Sequence, residues 1–117
     1  MKGIDDGGNR TLNVCMRIIK EKFLSDAAER YPKAAKYLAF WRATVRAAAW
    51  RNLPDVRRVY LTADSVRVRS GKSVMVFNVC GNTHRLIVAM HFKTQIVFML
   101  RFLTHAEYDR EMWKDEL

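Results

Sequence analysis

Hydrophobic and polar positions change rhythm along this chain. Between 33 and 51, Leu38, Trp41, Val45 and Ala48 recur at steps of three, four and three. That spacing draws one apolar stripe on a helix, with Lys33, Lys36, Arg42 and Arg46 on its other faces. From 74 onward the rhythm shortens into apolar runs at 74–80, 83–91 and 95–102, which predict three strands. Gly81 and Asn82 tolerate positive φ and predict a tight hairpin, and Phe92–Lys93–Thr94–Gln95 predicts the next turn. Connections this short imply antiparallel neighbours. Thr104-His105-Ala106-Glu107 then carries the capping-box pattern that opens a helix.

Upstream signals are weaker. Residues 14–20, VCMRIIK, predict a short strand, and 22–31 a helix that ends at Tyr31–Pro32, since a residue before proline avoids the helical region. Leu53–Pro54 closes the main helix. The segment 54–73 reads as loop-rich, with one turn of helix around Val56, Val59, Tyr60 and Leu61. Trp41 and Trp50 are read as core residues. Residues 1–13 are polar, contain glycine and show no period, so they read as a flexible leader, a vector remnant or an upstream start, with Met16 a candidate natural first residue. The expected organisation is one domain over 14–117. It is α+β, a small antiparallel β-sheet with helices packed on one face.

Composition sharpens this picture at three points. The formal charge of +9, from 21 basic and 12 acidic side chains, favours a polyanionic partner such as nucleic acid or the ribosome. No apolar run reaches the roughly 18 residues that span a bilayer, and no secretory signal precedes the domain, so no membrane partner and a cytoplasmic location are expected. Cys15 and Cys80 lack metal-ligand spacing. A disulfide between them stays open, but buried free thiols in a reducing compartment are the favoured reading.

Strand alternation says which residues share a face. One consistent solution turns Phe77, Leu86, Val88, Met90, Phe98 and Leu100 toward the helices. Asn78, Arg85, His91 and Arg101 then gather on an open opposite face, mixed with Val76, Ile87, Ala89 and Met99. Such a face suits RNA cleavage by an internal 2′-hydroxyl. That reaction needs a proton acceptor, cations for the crowded phosphate and a proton donor for the leaving oxygen. It needs no metal, no cofactor and no covalent enzyme nucleophile. His105 is the candidate acid–base group. Arg85 and Arg101 are candidate phosphate clamps. Tyr108, three residues after His105 on a helix, shares its face and could orient the hydroxyl or stack on a base. Asn78, Asn82, His91 and Lys93 are further RNA-binding candidates, and Arg57, Arg58 and Arg69 form a diffuse electrostatic footprint. Each also has a plainer reading: turn formation for the asparagines, capping for Thr104 and Glu107, an ion pair with Glu107 or Asp109 for Arg85.

The run VFNVCGNTHRLIVAMHF, a following apolar strand and THAEYD resemble the HigB-type toxins of the RelE superfamily. MRII, AAERYPKAAKYLAFWR and RNLPDVRRVYLTAD extend the resemblance over about 16–113. It implies a RelE-like fold and a toxin that cleaves messenger RNA on the translating ribosome. It implies neutralisation by a HigA-type helix-turn-helix antitoxin, through which alone operator DNA is bound. It carries RNA-cleavage roles to Arg85, His105 and Tyr108, with Arg101 and Lys93 in support. His84 stands where an aromatic such as tyrosine is expected, on the face with Leu86. A non-catalytic RNA- or ribosome-binding protein remains the alternative.

Overall fold

The computed structural model describes residues 15–117, so the expected leader 1–13 lies outside the described residues. In chain order come β1 (Arg17–Ile19), α1 (Lys22–Arg30), a 3-10 turn (Pro32–Ala34), α2 (Ala35–Ala47) and α3 (Leu53–Arg57). Then come β2 (Asp64–Arg67), β3 (Ser73–Val79), β4 (His84–His91), β5 (Ile96–Thr104), α4 (His105–Asp109) and α5 (Trp113–Glu116). The sheet order is β1-β5-β4-β3-β2. Strands β2 to β5 form an antiparallel meander, and β1 joins its edge parallel to β5. The fold is α+β as expected, with α1 and α2 on one face.

That face holds the main core. Leu38, Trp41 and Val45 of the predicted stripe are fully enclosed. They meet Leu24 and Ala27 of α1 and the strand residues Met75, Phe77, Val79, Leu86, Val88, Val97 and Met99. Trp41 sets its edge on Phe77 with ring centroids 5.5 Å apart. Burying each such aliphatic side chain contributes about 1.5–3 kcal/mol, the main driving force for docking α2 on the sheet. No helix among the described residues is long and apolar enough to cross a membrane.

The structure departs from the sequence reading in several places. Helix α2 stops at Ala47, not 51. Ala48 turns extended, and its carbonyl accepts the Met16 N–H at 2.8 Å. Pro54 does not merely break a helix. It sits in the first turn of α3, where a missing N–H costs nothing, and Asn52 caps that turn by accepting the Asp55 N–H at 3.0 Å. The loop-rich segment contains edge strand β2, exposed along most of its length and so without an alternating signature. Cys15 and Cys80 are free but exposed, not buried. Cys80 follows β3 in a turn where it and Gly81 take φ of 51° and 69°, and its thiol donates to Lys33 O at 3.6 Å.

A further departure affects the site. Ile87 pairs with Arg101 but Val88 pairs with Met99, so Leu100 is an extra residue, a β-bulge. The bulge inverts parity within β5. Val97, Met99 and Phe102 face the helices, while Phe98 and Leu100, expected inward, lie on the opposite face. Nor is that second face open throughout. Trp113 of α5 packs on Val68, Val74, Val76 and Ile87 as a smaller second core. Ion pairs Arg69–Asp115 (3.7 Å) and Arg101–Glu116 (3.3 Å) pin α5 across it.

Candidate functional site

The start of β4 and the end of β5 meet at one corner of the sheet, with His84 opposite Thr104 and Arg85 opposite Leu103. Thr104 then caps α4 with both halves of a capping box. The Glu107 N–H donates to Thr104 Oγ1 at 3.2 Å, and the Thr104 N–H donates to Glu107 Oε1 at 2.9 Å. That backbone N–H holds the Glu107 carboxyl below its ordinary pKa. The His105 N–H donates to Thr83 O at 3.0 Å, tying α4 to the hairpin before β4. A hairpin and a capped helix start thus fix the backbone on both sides of the corner.

Arg85 lies between them, only 8% exposed. Its guanidinium donates to His84 O at 3.1 Å and to Asn82 Oδ1 at 2.8 Å. The same Nη2 faces His105 Nδ1 at 3.3 Å. The Tyr108 ring lies under the guanidinium, 5.3 Å from Cζ to the ring centroid, a cation–π arrangement. Asp109 Oδ2 stands 3.1 Å from His105 Nε2, one helical turn on. A neutral imidazole protonated at Nε2 satisfies both neighbours: Nδ1 accepts from Arg85 and Nε2–H donates to Asp109. Burial raises the Tyr108 phenol above its ordinary pKa, against the pull of Lys114 and Arg85, so the hydroxyl keeps its proton at neutral pH. Beside Arg85 a shallow cavity of about 440 Å³ is lined by Thr62, Asn78, Gly81 and Asn82.

Of the predicted residues, the corner therefore unites Asn82, Arg85, His105 and Tyr108, with Asn78 as the cross-strand neighbour of Arg85. The others lie elsewhere. Arg101 shares the second face but is turned to Glu116. His91 ends the same strand six residues beyond Arg85, roughly 20 Å away at about 3.4 Å per residue, and Lys93 lies in the turn after it. Arg57 is engaged by Ala63 O and Asp64, Arg58 by Asp55, and Arg69 by Asp115. These separations correct the expectation of a single shared pocket. A strand that is long relative to the site spreads its same-face residues over both ends of the sheet.

Two neighbours of the cluster play parts the sequence reading did not give them: Asp109, expected as an ion-pair partner of Arg85, meets His105 instead, and Trp113 received no role. Asp109 follows His105 at the i,i+4 spacing that lets helical side chains meet, a signal present in HAEYD. Trp113 stacks on Tyr108, with centroids 5.3 Å apart and planes at 19°, and its indole N–H donates to Tyr108 O at 3.1 Å. A lone tryptophan in a charged, four-residue helix gave no periodic signal. His84 takes the expected position on the helix side, stacked on Phe102 at 5.0 Å and close to Tyr31 at 4.5 Å.

Comparison with known proteins identifies the family. Residues 34–111 match the model of the HigB toxin family, described as the RelE-like toxic component of a toxin–antitoxin system. The mRNA interferase toxin HigB of Escherichia coli K12 is 30% identical over 94 residues, which covers 80% of this chain and 88% of that protein. The proteins called mRNA interferase HigB in Escherichia coli O157:H7 and Shigella flexneri align with the same identity and coverage. The chain belongs to the HigB family of RelE-like toxins, the toxic half of a toxin–antitoxin system, and so has a cognate antitoxin as partner.

Proposed function

We propose that this toxin is a metal-independent endoribonuclease that cuts messenger RNA on the translating ribosome. The observation that carries the proposal is the 3.3 Å approach of Arg85 to His105 Nδ1 above the Tyr108 ring. A phosphodiester entering beside Asn78 and Asn82 competes for the Arg85 donors. As the guanidinium turns to the phosphate, Nδ1 is released to accept the 2′-hydroxyl proton, and Asp109 stabilises the imidazolium that forms. The 2′-oxygen bonds to phosphorus and the P–O5′ bond breaks. The products are a 2′,3′-cyclic phosphate and a 5′-hydroxyl. The leaving oxygen takes a proton from the imidazolium or from the Tyr108 phenol, which its raised pKa keeps loaded. General acid–base help of this kind is worth about 10²–10⁴ in rate.

The partners that fit are the messenger RNA, the ribosome and a HigA-type helix-turn-helix antitoxin, with operator DNA reached through that antitoxin. The names of the Escherichia coli and Shigella relatives support the RNA substrate. The test is to map new 5′ ends in cells induced to make wild-type protein, Arg85→Ala, His105→Ala or Tyr108→Ala. Cuts with wild type that vanish in the variants support the reading. Undiminished cutting in all three moves the chemistry elsewhere, and intact message on stalled ribosomes points to a binder. Purified protein added to free RNA and to programmed ribosomes tests the ribosome requirement.

A further inference from the structure

The far end of β4 carries groups that the corner leaves unused, and strand register places them. Arg17, Ile96 and His91 form one row across β1, β5 and β4, and Ile19, Phe98 and Ala89 form the next. Both rows lie opposite α1 and α2, because Ile18, Val97 and Met90 between them face the helix core. Phe98 is 36% exposed, and His91 meets its ring edge-on with centroids 5.6 Å apart. Beside it opens a cavity of about 470 Å³, walled by Val74, Leu100 and Leu117 with Lys72, Ser73 and His91. No aspartate or glutamate lines this cavity. Arg17, Lys72 and Lys93 have no ion-pair partner among the described residues. A partly exposed aromatic ring is therefore built onto the sheet, with Arg17 in the adjoining strand row, Lys72 on the cavity that His91 also lines, and Lys93 in the turn after His91.

We propose that this surface is a second RNA site, holding an unpaired nucleotide of the substrate strand away from the cut. The base stacks on Phe98, and the flanking phosphates lie against Arg17 and Lys72. The proposal rests on the reading of the protein as an RNA-cutting toxin. Every base has a π face, so a single aromatic platform takes any nucleotide, and free cations supply the attraction to the backbone. An acidic peptide would use the cations but leave the exposed aromatic face without a stacking partner, unless it also paired with the sheet edge. The adjoining edge strand β1 offers three residues for that. The roughly 20 Å from Arg85 to His91 means that one strand reaches both sites only when several nucleotides long.

The experiment measures binding of the full chain to a 2′-O-methyl oligouridylate of about 12 nucleotides, within the site sizes of single-strand binders. Its blocked 2′-oxygens prevent cutting. Phe98→Ala should weaken binding roughly 5- to 150-fold, the value of one base–aromatic stack. Phe98→Trp should hold or raise affinity. Lys72→Ala should weaken binding less and flatten the salt dependence by about 0.7 in log–log slope. Thermal melts identical to wild type separate these effects from misfolding. Wild-type affinity in both Phe98→Ala and Lys72→Ala overturns the proposal. So does an acidic peptide that binds through Phe98 while the RNA does not, since it assigns the surface to a protein. The two readings fail separately. Flat binding across the Phe98 and Lys72 variants, with cutting abolished in Arg85→Ala, removes the second site alone. Undiminished cutting in the Arg85, His105 and Tyr108 variants removes the corner mechanism and leaves Phe98-dependent binding standing.

Discussion

At the Arg85 end of β4 the guanidinium is buried and held by a backbone carbonyl, the Asn82 amide, an imidazole and an aromatic face. Around the His91 end, Arg17, Lys72 and Lys93 of neighbouring elements stand in solvent, and His91 itself meets Phe98 edge-on. A cation that is desolvated and hydrogen-bonded cannot wander, so it can stabilise charge at a defined point. A free cation contributes mainly to attraction, which salt screens. One strand therefore presents a buried, hydrogen-bonded cation at one end and solvent-exposed cations around the other, and Trp113 packs between them on the second face.

The sharpest way to break that division is to remove the wedge. Trp113→Ala deletes a 3%-exposed indole, its stack on Tyr108 and its bond to Tyr108 O. Losing a buried tryptophan should cost about 3–5 kcal/mol, read in a denaturant titration. Trp113→Phe, which keeps a stacking ring, should recover most of it. If Trp113→Ala unfolds at the wild-type denaturant midpoint, the second core does not hold the corner together.

Arg85→Lys tests whether geometry or charge matters at the near end. Lysine keeps the charge but cannot reach Asn82, the His84 carbonyl and His105 together. Cleavage in a defined assay should fall about 10²–10³-fold, the value of one preorganised donor. Lys72→Arg at the far end, where only charge is in use, should leave it within a few-fold. Equal losses at the two ends would erase the distinction.

Thr104→Ala probes the backbone that sets the corner. It removes the acceptor for the Glu107 N–H and should cost about 0.5–2 kcal/mol by loss of the cap. This contact was legible in sequence because a capping box is local, spanning Thr104 to Glu107. So were α1 and the two hairpins, each fixed by short-range turn chemistry or local periodicity, whereas the meeting of Arg85 with His105 was expected from the family resemblance. What escaped had non-local causes. The parallel seat of β1 depends on a chain crossing that no local pattern records. The bulge at Leu100 leaves the QIVFMLRFL run looking regular, yet it reverses which residues face the helices. The covering of the second face depends on Trp113 finding a partner 37 residues back at Val76, and the split between the two ends of β4 follows from strand length and not from residue type.

The smallest effect, and the finest test of the near end, concerns His84. Its ring is packed against Phe102 and Tyr31 on the helix side, directly behind the backbone carbonyl that accepts from Arg85. Burial lowers its pKa below the ordinary value near 6.5, partly opposed by the Glu107 charge. The folded protein therefore binds the proton less readily than the unfolded chain. The contribution to stability is complete above about pH 6.5 and is lost as pH falls through the lowered folded-state value. His84→Phe keeps the stack and removes the titration, with a change at neutral pH within about 1.5 kcal/mol for a swap of similar volume. Melting temperatures taken across mildly acidic pH should fall further in wild type than in the variant. Because carbonyl 84 is backbone, the Arg85 contact survives the substitution, so cutting at neutral pH should be unchanged. Parallel pH curves for the two proteins would mean that the aromatic packing behind the corner does not sense the imidazole's charge.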